Sequence, residues 1–191
     1  TIETDAGTDG TTITVVLPFT AERNVGFEPS RTRLTGVRPA TPHLLVILGA
    51  ALIAGVAYGV AGEQLGGSIA AIGVFYGIEN TTVGWLTHQF HSAVFGFVFA
   101  GIVSILPARY QHDVAAYVTV AIGWALCLWA VAAGVIAPFW LRLLGIPAQI
   151  PNLSLPLLLS HLVWGITLGT LTTLGYKYVT PRIARSIERL R

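Results

Sequence analysis

Pro42-His-Leu-Leu-Val-Ile-Leu-Gly-Ala-Ala-Leu-Ile-Ala-Gly-Val-Ala-Tyr-Gly-Val-Ala-Gly62 contains no charged side chain. A helix needs about 20 apolar residues to cross the hydrocarbon core of a bilayer, and this stretch has that length. Three more windows share its character: Thr82 to Leu106, Val114 to Ile136, and Leu155 to Val179. No Asp, Glu, Lys or Arg lies deep inside any of them; Lys177 stands near the end of the fourth. A helix satisfies all its backbone polar groups internally, which lipid demands. The short alternating segments of a transmembrane barrel are absent. The first span starts too late and runs too long for a cleaved signal peptide. The expected fold class is therefore an all-α integral membrane protein with four transmembrane helices in residues 42–179. A polar segment, 1–41, precedes them and a basic tail, 180–191, follows.

The rest of the composition agrees. Of 191 residues, 53% are hydrophobic and 10% charged, and the mean hydropathy is +0.70. A soluble domain carries about 25% charged residues. The deficit excludes a disordered chain, a nucleic-acid binder with a broad basic face, and most cytosolic enzymes. The single cysteine, Cys127, excludes an intramolecular disulfide and a multi-thiolate metal site. Among Ala and Leu it reads as a small core residue, because a reactive thiol needs a cationic neighbour. The absence of Met, even at position 1, implies a processed or trimmed start.

The few charges set the expected orientation. Arg31, Arg33 and Arg38 precede the first span, Arg109 separates the second and third, and Lys177, Arg182, Arg185, Arg189 and Arg191 close the chain. With Arg23, ten of the eleven basic residues fall on one side, and cytoplasmic loops are the basic ones. Both termini are expected in the cytoplasm, with the protein multi-pass in the plasma membrane. Two longer connections then lie outside. In residues 63–81 the apolar run Ser68 to Ile78 is too short to span and reads as an interfacial or re-entrant helix. Residues 137–154 pair Trp140 with Arg142, a headgroup-level anchor. Near the N-terminus, Thr11-Thr-Ile-Thr-Val-Val-Leu17 has strand-like β-branched content. A lone strand is unstable in water, so it pairs with a partner's sheet edge, lies on the membrane surface, or belongs to a floppy tail. In the tail, Ile183, Ile187 and Leu190 share one helical face, and the arginines around them suit anionic headgroups.

A shift of 69 residues superposes the two halves. Val94-Phe-Gly-Phe-Val-Phe-Ala100 falls on Val163-Trp-Gly-Ile-Thr-Leu-Gly169, and His43 falls on His112. The architecture expected is two pseudo-repeated hairpins with outer interfacial segments. Gly55 with Gly59, Gly96 with Ala100, Ala130 with Gly134, and Gly165 with Gly169 are small-x-x-x-small pairs. Such pairs let helix backbones approach closely in lipid.

Polar groups within a span are the place to look for chemistry. They are His88, His91 and Ser92 in the second span, and Ser160 and His161 in the fourth. His88 and His91 share a helix face with Phe95, and His161 shares one with Trp164 and Gly165. The repeat lays His91-Ser92 on Ser160-His161. All three histidines stand at one depth, about 9–14 Å from the outer boundary at helical rise. Three uses are open to them. Two histidines ligate a haem b axially, with Phe95, Gly96, Trp164 and Gly165 making room for the macrocycle. Alternatively His88, His91 and His161 hold a transition metal such as copper or zinc. In the third reading they are neutral and hydrogen-bond between helices. His43 and His112 read as headgroup-level residues. Hydrolytic or transferase motifs are absent, so a redox subunit is the only enzymatic role in view.

His88-Gln-Phe-His-Ser-Ala-Val-Phe-Gly96, Ser160-His-Leu-Val-Trp-Gly165 and the Arg-rich, Lys-poor usage resemble small polytopic membrane proteins of halophilic archaea. The resemblance covers the four spans and not the termini, and it implies no function. The residues themselves support an accessory or structural subunit that packs against a larger membrane complex and docks through residues 1–41. The alternatives are a haem- or metal-binding electron-transfer subunit, and a pathway for a small solute or a proton. The last lacks an intramembrane carboxylate. The partners implied are the lipid bilayer and another protein or a second copy, with no nucleic acid.

Overall fold

A computed structural model describes residues 2–7, 10–15, 41–111 and 113–189. Its long helices begin where capping side chains stand. The Asn80 carboxamide oxygen accepts from the Thr82 and Val83 amides at 2.9 and 3.2 Å, and the Asp113 carboxylate accepts from the Ala116 amide at 2.7 Å. Both remove donors that a helix start leaves unpaired. The helices are α1 (Thr41–Gln64), α2 (Ala70–Gly73), α3 (Thr81–Ser104), α4 (Val114–Cys127), α5 (Ala137–Leu143), α6 (Leu155–Tyr178) and α7 (Thr180–Glu188). Four continuous helical stretches are long and apolar enough to cross a membrane: His43–Gln64, Thr81–Ser104, Val114–Leu143 and Leu155–Ile183. The fold is the all-α, four-span, multi-pass class read from the sequence. Large apolar side chains such as Leu45, Ile53, Leu86, Phe90 and Phe97 are exposed on its outside, which suits a lipid surround.

The third span runs seven residues further than its composition suggests, because Pro138 does not end it. Proline lacks an amide hydrogen and leaves the carbonyl four residues back unpaired. That carbonyl is Gly134, and the Asn152 amide takes it instead at 2.8 Å. The chain before the proline is widened into a π-helix, Leu128–Ile136, and resumes as α5. Insertions of this kind inside α-helices are frequently found at functional sites.

Small residues set the packing. A Cβ on Gly96 would overlap the Ala51 methyl, and one on Gly55 would lie 2.8 Å from Ser92 Oγ; these contacts join α1 to α3. A Cβ on Gly165 would lie 2.8 Å from the Ala121 carbonyl, and one on Gly169 2.7 Å from Val118 Cα, joining α6 to α4. Gly59 faces the Trp85 ring, and Ala100 is buried. The two hairpins meet chiefly where α1 lies along α6, while α3 and α4 touch sparsely. An exact twofold repeat would make those two contacts equal, so the docking of the two hairpins is not twofold symmetric.

The end of the bundle where α1 begins, here the base, is solid. Ile47, Ala51, Ala54, Phe99, Ala121 and Leu168 are fully buried there. Cys127 is exposed, not in the core as its neighbours suggest. The buried face of α4 runs through Tyr117, Ala121 and Ala125, and residue 127 projects away from it. His43 lies against the Tyr176 ring, with centroids 4.6 Å apart.

The chain divides into two units, residues 1–36 and 37–191. In the first, β2 (Gly10–Val15) pairs antiparallel with β1 (Ile2–Gly7), Ile2 opposite Val15 and Gly7 opposite Gly10. The strand expected around Thr11–Leu17 thus finds its partner just upstream in its own chain. Residues 16–40, His112 and the last two residues lie outside the described residues, and with them the docking segment, the His43–His112 match and Leu190.

Candidate functional site: an intramembrane histidine cavity

The opposite, capped end of the bundle is hollow. A cavity of about 640 Å³ opens among the four spans. The same spans that fill the base with Ile47, Phe99 and Leu168 present Gly59, Gly62, Ala132 and Ala133 here, and residues this small cannot close the gap. The floor is a hydrogen-bonded plate. Trp164 Nε1 donates to Ser92 Oγ at 2.7 Å, and the Ser92 hydroxyl donates to the Ala51 carbonyl at 2.7 Å. One chain of bonds therefore ties α6 to α3 to α1. Beside it, Trp124 Nε1 donates to the Phe95 carbonyl at 3.1 Å, tying α4 to α3.

The roof is the 63–81 connection, where α2 and a 3-10 turn, Val74–Tyr76, end at Gly77 with φ 82°. Ile69 is buried beneath it. Ile72, Phe75 and Tyr76 face the cavity, so the short apolar run serves as a lid over the bundle. Two contacts fasten it. Trp140 Nε1 donates to the Phe75 carbonyl at 2.9 Å, and the Tyr76 hydroxyl lies 3.4 Å from His91 Nε2. Trp140, expected as a headgroup anchor, instead joins the two connections of this end. Arg142 turns back to donate to the Ala148 carbonyl at 2.8 Å.

All three histidines line the cavity, at the common depth that their positions in the helices imply. His88 and His161 are buried, whereas His91 is half-buried near the rim. His88 Nε2 bonds the Gly55 carbonyl at 2.9 Å, and His161 Nδ1 bonds the Leu157 carbonyl at 2.7 Å. A carbonyl only accepts, so both nitrogens carry hydrogen. The lone pairs are then left on His88 Nδ1 and His161 Nε2. Tyr58 packs against both rings, its centroid 4.6 Å from His88 and 4.9 Å from His161.

This arrangement bears on both cofactor expectations. Among the described residues no three His, Cys, Asp or Glu side chains converge as metal ligands, so the triad His88, His91 and His161 is not assembled. The cause is visible: His91 pairs with Tyr76 at the rim, while His88 and His161 lie with Tyr58 inside. The two imidazoles that a haem would use, His88 and His161, both pack against the Tyr58 ring. Gly96 and Gly165, expected to make room for the macrocycle, press against Ala51 and Ala121 in helix contacts. Phe95 and Trp164 do line the cavity.

The sequence matches no protein-family profile, and no curated protein or solved structure is similar to it. The site therefore has to be read from its own chemistry. Sequence reasoning found the histidines and both serines but missed Tyr58. A tyrosine in an apolar run looks like any other lipid-compatible aromatic. The available signal was its place among Gly55, Gly59 and Gly62, where no neighbour on its own helix could cover it. The lid residues Ile72 and Tyr76 fall in the run that the sequence marks as an interfacial or re-entrant helix, without a role.

Tyr76, Ile136 and Trp140, which line the cavity, are 57%, 58% and 48% exposed.

Proposed function

We propose that this protein binds a small, largely apolar molecule taken from the bilayer. The observation that carries the reading is the 640 Å³ cavity whose lining joins aliphatic and aromatic walls to a few fixed polar groups. Large apolar pockets with few convergent polar groups are the usual form of small-molecule sites. The exposed lining residues Tyr76, Ile136 and Trp140, together with the sparse contact of α3 with α4, support access from lipid. The basic residues at the base, Arg109, Lys177 and Arg182, support a cytoplasmic base and a cavity in the other leaflet.

Gly55, Gly59, Gly96, Gly165 and Gly169 face other helices of the same bundle. The accessory-subunit reading has one observation of its own: Ala115, Thr119, Gly123 and Cys127 form an exposed small-residue row along α4, the kind of surface on which another helix packs closely.

The test is to fill the cavity. A Cβ on Gly62 meets only Ser160 Oγ, at 3.4 Å, so a side chain there fits locally and projects toward the empty space. Native mass spectrometry of the wild-type chain with 4-octylphenol, a membrane-soluble ring compound, should show one retained equivalent. Gly62→Phe and Ala133→Trp should retain none while unfolding within a few degrees of wild type. Equal retention by wild type and both variants would refute a cavity site.

A further inference from the structure

Apart from the Tyr58 hydroxyl, and the His91–Tyr76 pair at the rim, the side-chain donors around the cavity are already committed. Trp164 Nε1 goes to Ser92, Ser92 to the Ala51 carbonyl, and Ser160 to the Pro156 carbonyl at 2.9 Å. Trp140 Nε1, at the rim, goes to the Phe75 carbonyl. His88 and His161 give their N–H groups to Gly55 and Leu157. What these groups still offer an occupant is lone pairs: His88 Nδ1, His161 Nε2 and Ser160 Oγ. Tyr58 adds a hydroxyl that both gives and accepts.

Resting on the cavity reading above, we infer that the occupant is a hydrogen-bond donor: a neutral, hydroxyl-bearing ring compound of the phenol or hydroquinone class. The neutral form follows from the lining. Glu63 is its one acidic residue among those described, and Glu63 is exposed at the end of α1, so no buried carboxylate awaits a cation. A ring follows from the walls, where Phe75, Phe95, Tyr58 and Trp164 present aromatic surface. A hydroxyl follows from the acceptors. An occupant that only accepts hydrogen bonds, such as a quinone or an ether, would leave the imidazole lone pairs unpaired in a low-dielectric site, which is costly. Sites built to hydrogen-bond a substrate hydroxyl reject analogues without it far more strongly than apolar pockets reject one methylene.

The experiment compares two probes with one skeleton, 4-octylphenol and its O-methyl ether 4-octylanisole. Affinities are measured by equilibrium dialysis of the protein in lipid nanodiscs, at matched mole fractions in the lipid. The phenol should bind at least about tenfold more tightly than the ether. His161→Leu, which removes one acceptor and only an intrahelical bond, should lower phenol affinity and leave ether affinity within about twofold. Equal affinity of the two probes for the wild-type protein overturns the donor preference and leaves the cavity reading standing. Saturable binding of neither probe overturns both. Should His161→Leu fail to fold, the wild-type comparison decides alone.

Discussion

Ser92 carries more of the structure than its size suggests. It accepts from the Trp164 indole and donates to Ala51, so Ser92→Ala strands the buried Trp164 N–H, while the Ala51 carbonyl lies within α1 and keeps its helical bond. The expected cost is about 1–2 kcal/mol, between the small average for bonds in lipid and the larger penalty for orphaned groups. Thr172 makes the opposite case. It is fully buried, and its hydroxyl has no partner among the described residues. Thr172→Val should be neutral or stabilising by up to about 1 kcal/mol. Unfolding of both variants in mixed micelles, titrated with dodecyl sulfate and followed by circular dichroism, gives the two values. Loss of stability in both would mean that burial, not bonding, sets the cost. At this scale the sequence was legible wherever polarity was rare. Three histidines and two serines in apolar runs stood out, and all five line the cavity. Tyr58 did not stand out, because its polar atom sits on a large apolar ring.

Helix existence was legible from hydropathy alone; the starts of α3 and α4 are fixed by the caps Asn80 and Asp113, polar residues that a hydropathy window does not single out. Span three was the exception. Pro138 reads as a stop only if the carbonyl it strands has no other partner, and the donor that rescues Gly134 lies eighteen residues on, at Asn152. No local pattern carries that information. The glycines divide in the same way. Gly165 and Gly123 look alike in sequence, yet a Cβ on Gly165 meets the Ala121 carbonyl at 2.8 Å while one on Gly123 meets nothing within 4 Å. Gly165→Ala should therefore cost about 1–3 kcal/mol through overpacking against backbone. Gly123→Ala should be neutral or gain up to about 1 kcal/mol in helix propensity. The same micelle titration separates them, and a reversed order would contradict the α4–α6 contact.

Across the whole molecule the repeat predicts equal contacts of α1 with α6 and of α3 with α4, yet α1 lies close along α6 while α3 and α4 touch sparsely. That asymmetry depends on side-chain volumes from four helices at once. Sequence periodicity on a single helix cannot report it. The base is filled by Ile47, Phe99 and Leu168; the capped end has Gly59, Gly62 and Ala133 at the matching places. A bundle that is packed solid at one end and hollow at the other, with its polar groups at the hollow end, is the central claim. Trp164 lies at the boundary and reports on it. With 5-fluorotryptophan incorporated, the chain gives five fluorine resonances, one for each of its 5 Trp residues, and Trp164→Phe assigns the one that matters. Titration with 4-octylphenol in nanodiscs should move that resonance along a saturating curve ending at one equivalent. A Trp164 resonance that stays fixed, or that drifts without limit together with the other four, would contradict the account.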